Sequence, residues 1–298
     1  MELRQLRVFV AVAEESSFTR AAEKLGYVQS NVSGQIRTLE EEFRTRLFER
    51  LGKRIALTAD GEKLLHHARQ LLRYAAETKE MMSRSTVPSG MISIGTAESL
   101  LVFRLHTLFR EYVRLYPQVN LMIRQGTTVD LRQWLRDNTI DVVFELDARI
   151  DDADLISRIL CEEPMVIIGD SEHRLVEKGF IEPDDISRES FIFTERGCSY
   201  RSVMEKYLAE LRLRPCSSYE FDSIAAIKQL VISRLGIALL PRAAVETELS
   251  NGKIVDLNWI GPKIEMFTQV VYHKNKWESP ALASLFDLVK KNFPKSHY

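Results

Sequence analysis

The 298-residue chain holds only three cysteines, Cys161, Cys198 and Cys216, and none stands in a CxxC spacing. This argues against a disulfide framework or a zinc cage, and a reducing cytoplasm is expected. No secretory leader is expected either, because the apolar start "VFVAVA" runs for six residues and meets Glu14 and Glu15 at once. Membrane spans are missing as well: the apolar stretch "LVISRLGIALL" is broken by Arg234. The chain has no GxSxG elbow, no HExxH, no phosphate-binding P-loop and no GxGxxG. Its six histidines are scattered, with His66 and His67 side by side in one helix and His297 at the chain end. Neither arrangement suits general-base work or a metal site. An enzyme is thus disfavoured, and no metal or cofactor is expected.

What remains is ordinary globular composition, 45% hydrophobic and 28% charged, in a chain long enough for two or three domains. The net charge of −1 conceals an asymmetry. Residues 1–90 hold 15 Lys/Arg against 12 Asp/Glu, so the rest is net acidic. The basic excess is densest in "RTRLFERLGKR" (44–54), with five basic residues and one acidic. Such a run is also what a solvated surface looks like, and charge alone does not separate the two.

Periodicity divides the chain into three parts. In residues 1–50, Leu3, Leu6, Phe9 and Ala13 recur at helical spacing, and Ser16 or Ser17 caps a second helix, "FTRAAEKL", which Gly26 stops. A third helix runs through "YVQSNVSGQIRTLEEEF" (27–43). Its stripe Val28, Val32, Ile36, Leu39 and Phe43 faces a core, which turns Ser30, Ser33, Gly34 and Arg37 outward. The following "RLFERLGKRIALT" reads as a hairpin around Leu51-Gly52-Lys53. Three small helices and a basic hairpin make a winged helix-turn-helix, whose third helix enters the major groove while the wing follows the backbone. Small polar residues permit close approach to base edges, and Arg37 can hold a phosphate. Beyond residue 58, Leu64, Ala68, Leu71, Ala75, Thr78 and Met82 alternate spacings of four and three, the period of a coiled-coil seam. Pro88 and Gly90 then mark a hinge.

From residue 91 the pattern is strand–helix alternation: "MISIGTAES", "QVNLMIRQGTT", "IDVVFELD", then "PMVIIGD", "SFIFTERG", "SSYEF", "IALLP" and "FTQVVYHK". An open, mainly parallel α/β architecture in two lobes is expected, with a ligand at the carboxyl ends of strands. The expected boundaries are 1–58 for the DNA reader, 59–87 for a dimerising linker helix and 88–90 for the hinge. One lobe takes 91–161 with 266–298, and the other takes 162–265.

The stretch "LRQLRVFVAVAEESSFTRAAEKLGYVQSNVSGQIRTLEEEFRTRLFER", followed by "LTADG", resembles the DNA-binding domain of LysR-type transcriptional regulators. The likeness extends in order and length through the long helix and the two-lobed domain. It implies a periplasmic-binding-protein-like sensor domain and a homodimer, or dimer of dimers, on double-stranded promoter DNA. A small-molecule co-inducer and contact with RNA polymerase are implied too, and membrane association is not. Carried over by position, Gln29, Ser33 and Gln35 fall on the recognition helix and Arg50, Lys53 and Arg54 on the wing. Ser30 stands where proline is common and Gly34 where arginine is common, while Val28 takes a slot that often holds a capping serine. Gly34 removes one DNA contact, and Asn31 is a candidate for bidentate adenine readout. A free-standing solute-binding protein would have an export leader and no DNA reader, the reverse of this pattern.

Three strand-to-helix junctions supply candidate effector residues: Thr96, Glu98 and Ser99 in "GTAES", Gln125 and Thr127 in "QGTT", and Thr194, Ser199 and Arg201 in "FTERGCSYR". Helix-start amides and hydroxyls suit a carboxylate, although the same hydroxyls serve as plain caps. Glu98, if its side chain enters the cleft rather than facing solvent, points instead to a ligand with an ammonium group. A small organic acid or an amino acid is the expected effector. A second reading is redox sensing through Cys198, activated by Arg196 and Arg201 and paired with Cys216 in a switch disulfide, against the commoner case of a buried or incidental cysteine.

Overall fold

The structure is a computed structural model that describes residues 1–51, 54–82 and 87–294; the side chains of Arg50, Leu51 and Arg54 fall outside what it describes. The chain separates into two compact units, Met1–Thr86 with Asp137–Thr139, and Val87–Arg136 with Ile140–Tyr298.

The first unit begins with α1 (Leu3–Glu15), α2 (Phe18–Leu25) and α3 (Gln29–Phe43). Leu6, Phe9 and Val12 of α1 meet Ala21 and Ala22 of α2 and Val32, Ile36 and Leu39 of α3 in one apolar cluster. Ser17 caps α2, its Oγ accepting from the Arg20 amide at 3.3 Å, and Gly26 ends it at φ +67°. The α3 stripe is shorter than its spacing predicts. Val28 is 69% exposed and Phe43 42% exposed. Val28 is the N-cap, with extended backbone (ψ 146°), so the helical phase does not reach it. Phe43 occupies the last turn, just before the chain turns away through Arg44 at φ +52°.

Strands β1 (Phe48–Leu51) and β2 (Arg54–Leu57) pair antiparallel, Leu51 opposite Arg54. Phe48 seats this hairpin, with its ring 5.3 Å from Phe9 and 5.8 Å from Phe18. Glu40 of α3 accepts the Leu47 amide at 2.8 Å and so ties the start of the hairpin to α3. Helix α4 (Ala59–Met82) then packs Leu64, Leu65, Ala68 and Leu72 onto the same core. Of the predicted seam, Leu71 and Met82 are exposed, as are Tyr74 and Met81 beside it. The amino-terminal half of α4 covers its own domain and leaves an apolar flank on the other half.

The second unit opens with β3 (Gly90–Thr96), a helix that starts as α5 (Glu98–Leu100), passes through a π-helical turn at Leu101–Leu105 and continues as α6 (His106–Leu115), then β4 (Val119–Gln125), α7 (Thr128–Arg136) and β5 (Val142–Asp147). Next come β6 (Leu155–Glu162), β7 (Met165–Asp170), α8 (Arg174–Lys178), α9 (Pro183–Ile186), β8 (Ser190–Phe193), α10 (Ser199–Glu210), β9 (Ser217–Glu220), α11 (Ile224–Ile232), β10 (Ala238–Pro241), α12 (Arg242–Ser250), β11 (Ile254–Asp256), β12 (Phe267–His273) and α13 (Pro280–Asn292). One sheet has the order β4-β3-β5-β12-β6, another β10-β7-β11, and β8 pairs with β9.

The pairing is mixed rather than mainly parallel. Among the strands of the described residues, β3–β4, β3–β5 and β8–β9 pair parallel, while β12 runs antiparallel to both β5 and β6. The chain crosses between lobes in opposite directions at Glu162–Met165 and after Asp256, which is why the returning strand β12 runs against its neighbours. Tyr112 locks α6 to α13, its hydroxyl donating to the Ala281 carbonyl at 2.7 Å; burial pushes the phenol up to about 12.

Candidate functional site

Two surfaces gather the candidate residues, one in each unit. On α3, Gln29, Ser30, Asn31 and Arg37 are exposed and Ser33 and Gln35 half-buried. Helical spacing places i and i+4 side by side, and the side chains use it. Gln29 Nε2 donates to Ser33 Oγ at 2.8 Å, and Gln35 Nε2 donates to Asn31 Oδ1 at 2.6 Å. Two polar pairs thus stand in adjacent rows over the first two turns, with rotamers already chosen. Asn31 keeps its amide nitrogen for an outside acceptor. Gly34 lies between the rows and carries no side chain to hold a partner away. Arg37 donates to Glu41 at 2.8 Å in a pair so exposed that it is worth only ~0.5 kcal/mol, so a phosphate can take the guanidinium from it. Lys53 and the side chains of Arg50 and Arg54 lie outside the described residues.

The other surface is a cleft between the lobes of the second unit, open on one side, with a cavity volume of about 40 Å³. Glu98 and Ser99 come from the β3–α5 junction, Thr127 from the start of α7, and Thr194 and Ser199 from the β8–α10 junction; all five line it. Three other candidates do not. Thr96 is wholly buried and donates to the Ala97 carbonyl at 3.3 Å. Gln125 is exposed at the end of β4, outside the lining. Arg201 lies behind the wall: its guanidinium donates to Glu205 and Glu220, both at 2.8 Å, and to the Thr194 carbonyl. The pairing with Glu205 is an i, i+4 contact within α10, which holds the arginine away from the cleft. Ser199 donates to the Leu146 carbonyl of β5 and so joins the lobes rather than offering its proton to a ligand.

The cleft also draws in residues that the sequence reading passed over. Glu145, Glu195 and Asp222 line it, together with Tyr200. Glu195 and Asp222 each follow a strand end, the same signal that singled out Glu98, while Glu145 lies within β5. Glu145 is 1% exposed; burial pushes it up to about 7, against the pull of Arg132, whose Nη2 stands 3.1 Å from Oε1. Burial also raises Glu195, and the charges of Glu98 and Asp222 add to the rise. Among the described residues, no Lys, Arg or His lines this cleft.

Cys198 sits in the same wall at the start of α10, and its thiol is raised, not lowered. Burial dominates, because Arg196 leans toward Glu220 at 3.7 Å and Arg201 is engaged elsewhere. Activation by those two arginines is therefore not what the geometry provides. All three cysteines are free thiols.

Where the chain crosses between lobes, Glu163 is buried and accepts from Arg104 Nε and Nη2 at 2.8 and 2.9 Å and from Thr268 Oγ1 at 2.8 Å. Its amide donates to the Met266 carbonyl at 2.8 Å, which clips the outgoing and returning crossovers together. No helix among the described residues is long and apolar enough to cross a membrane.

Residues 3–62 match the family model described as bacterial regulatory helix-turn-helix protein, lysR family, and residues 85–294 match the LysR substrate binding domain. The Bacillus subtilis protein YwqM, an uncharacterized HTH-type transcriptional regulator, is 35% identical over 98% of this chain and 100% of its own. Among solved structures, a cysteine variant of full-length OxyR from Pseudomonas aeruginosa is similar, with a TM-score of 0.74 and 24% identity, covering 97% of this chain and 95% of that one. Full-length CbnR complexed with its target DNA gives a TM-score of 0.71 at 20% identity, covering 98% and 99%. At these identities the two structures speak to the fold alone.

Proposed function

The chain belongs to the LysR family of DNA-binding transcriptional regulators, with an amino-terminal helix-turn-helix and a carboxyl-terminal effector-binding domain, and on that premise we propose which residues read DNA and what the second unit senses. Gln29, Ser30, Asn31, Ser33 and Gln35 read base edges in the major groove, while Arg37, Arg50, Lys53 and Arg54 hold phosphates. The observation that carries this assignment is the pre-paired amide and hydroxyl face over the first two turns of α3. With its rotamers already set, little side-chain entropy remains to be lost at the groove. Asn31 reads an adenine, worth ~1–3 kcal/mol of discrimination.

The exposed Leu71, Tyr74, Met81 and Met82 on α4 support a homodimer seam, and lobe contacts would complete a dimer of dimers. Two DNA readers related by a twofold axis then meet the two half-sites of a pseudo-palindrome. A small organic acid or amino acid binds between the lobes, with Glu98, Ser99, Thr127 and Thr194 in contact with it. Its differential affinity for one degree of lobe closure shifts the spacing of the paired readers and with it promoter bending and access of RNA polymerase. The protein acts in the cytoplasm.

The test is a footprint on DNA upstream of its own gene at low and moderate salt. Two protected half-sites, with affinity falling steeply with salt, support the reading. No protection from a folded, dimeric protein at low salt overturns the assignment on α3.

A further inference from the structure

The effector cleft has an electrostatic character that narrows its ligand, and the narrowing rests on the effector-sensing role given above. Four carboxyl groups, Glu98, Glu145, Glu195 and Asp222, line it with no basic residue in the described wall. Glu145 has Arg132 beside it, whereas among the described residues no hydrogen bond or ion pair engages the side chain of Glu98 or Asp222. Glu98 belongs to one lobe, and Glu195 and Asp222 belong to the other. Like charges therefore face one another across the opening, and closing the lobes without a cation brings them together in a medium of falling dielectric.

A second, independent observation comes from the floor. The Thr194 hydroxyl is buried, the residue being 4% exposed, and its Oγ1 has no oxygen or nitrogen partner among the described residues, only the weakly accepting Cys198 thiol nearby. Buried hydroxyls are rarely left so, and this one lies in the cleft wall, where a ligand atom can reach it. Beside it, the twelve-residue helix α10 begins at Cys198 with no side-chain cap, so its first amides and its positive end border the same cavity.

We propose that the ligand of this cleft is a small zwitterion of the α-amino acid class. Its carboxylate lies at Thr194 and the start of α10, and its ammonium lies among Glu98, Glu195 and Asp222. A purely anionic acid fits one end only and adds charge of the same sign to the other. A bare metal ion is the wrong cation, since no group of three or more His, Cys, Asp or Glu among the described residues is arranged to hold one. An ammonium offers three donors to three carboxylates contributed by both lobes, and so couples occupancy to closure.

The experiment uses the full-length protein, with the common L-amino acids each tested beside the 2-oxo acid of the same side chain. Thermal shift and titration calorimetry provide the readouts. The expected result is that at least one amino acid at millimolar concentration raises the melting temperature while its 2-oxo partner does not. Glu195→Gln and Asp222→Asn should each weaken that binding at least tenfold. Without ligand, both variants should melt no lower than the parent, because repulsion has been relieved; this control separates lost binding from lost folding. Tighter binding of an amine-free acid, stabilisation by no amine-bearing compound at ten millimolar, or undiminished affinity in both variants would each overturn the proposal. A footprint that persists and responds to an amine-free acid sinks this inference and leaves the regulator reading intact. Amino-acid binding without DNA protection does the reverse.

Discussion

Glu145→Gln isolates the cost of keeping a carboxyl group in the wall of the cleft. Glu145 is buried, and burial pushes it from the ordinary 4.5 up to about 7, with Arg132 only partly offsetting the loss of hydration. The sign follows from where the protons sit. Below about pH 4.5 the group is protonated in both the folded and unfolded chain and has no effect on stability. Between 4.5 and about 7 the unfolded chain has released the proton and the folded one retains it, so stability falls by about 1.4 kcal/mol per pH unit. Above about 7 both forms are ionised and the loss levels off at about 3 kcal/mol.

Glutamine mimics the protonated form at every pH, so the variant escapes this loss. Relative to the parent it should gain about 1 kcal/mol at pH 5.5 and about 3 kcal/mol at pH 8. All three tryptophans, Trp134, Trp259 and Trp277, fall in the second unit, so urea unfolding followed by their fluorescence reports that unit. Titrating groups that do not interact with Glu145 cancel in the difference between the two proteins, which leaves Asp147 and Arg132 as the coupled neighbours. A gap that stays constant to within ~0.5 kcal/mol from pH 5.5 to 8 would refute the reasoning, because it would mean that Glu145 ionises normally in the fold.

Gly61→Ala should destabilise the first unit by ~1–3 kcal/mol, since a Cβ there runs into the Leu47 carbonyl oxygen at the foot of the hairpin. Helical circular dichroism during unfolding reads it, and an unchanged first transition would contradict the close approach. Glu163→Gln keeps the shape of the crossover clip but leaves the Arg104 charge without its carboxylate. Because that guanidinium is partly exposed, the cost should be ~1–3 kcal/mol by urea unfolding, and a neutral result would remove the clip from the account. Cys198, raised by burial, should alkylate far more slowly at pH 8 than exposed Cys216. Peptide mapping after brief iodoacetamide treatment checks this order, and faster labelling at Cys198 would revive the redox reading.

How much of this was legible in the sequence depends on how local the cause was. The buried middle of α3, the hairpin seated by Phe48 and the caps of α2 arise from spacing and single-residue chemistry, and all were readable. Strand β6 was not, because it is an edge strand whose "LISRILCE" mixes charge into a half-covered run. Helices α8 and α9, of five and four residues, are too short to display a period. The antiparallel setting of β12 follows from the route of the crossover, which no local pattern encodes. In the cleft, strand-end logic picked out Glu98, Ser99, Thr127, Thr194 and Ser199, which line it, but also Thr96, Gln125 and Arg201, which do not. Glu205, four residues on, was in plain view as a helical partner for that arginine and was the better signal. The supposed activation of Cys198 failed for the same reason: arginines near in sequence were already engaged, and burial then set the thiol.

The most direct measurement is the affinity of the full-length protein for the DNA upstream of its own gene, taken across a salt series beside the Asn31→Ala variant and an unrelated duplex. The expected result is sequence-selective binding that weakens steeply with salt. Asn31→Ala should lose ~1–3 kcal/mol on the specific site and almost nothing on the unrelated duplex. Equal affinity of the parent protein for both duplexes, or an equal loss on both from removing Asn31, would contradict the assignment of α3 as the element that reads sequence.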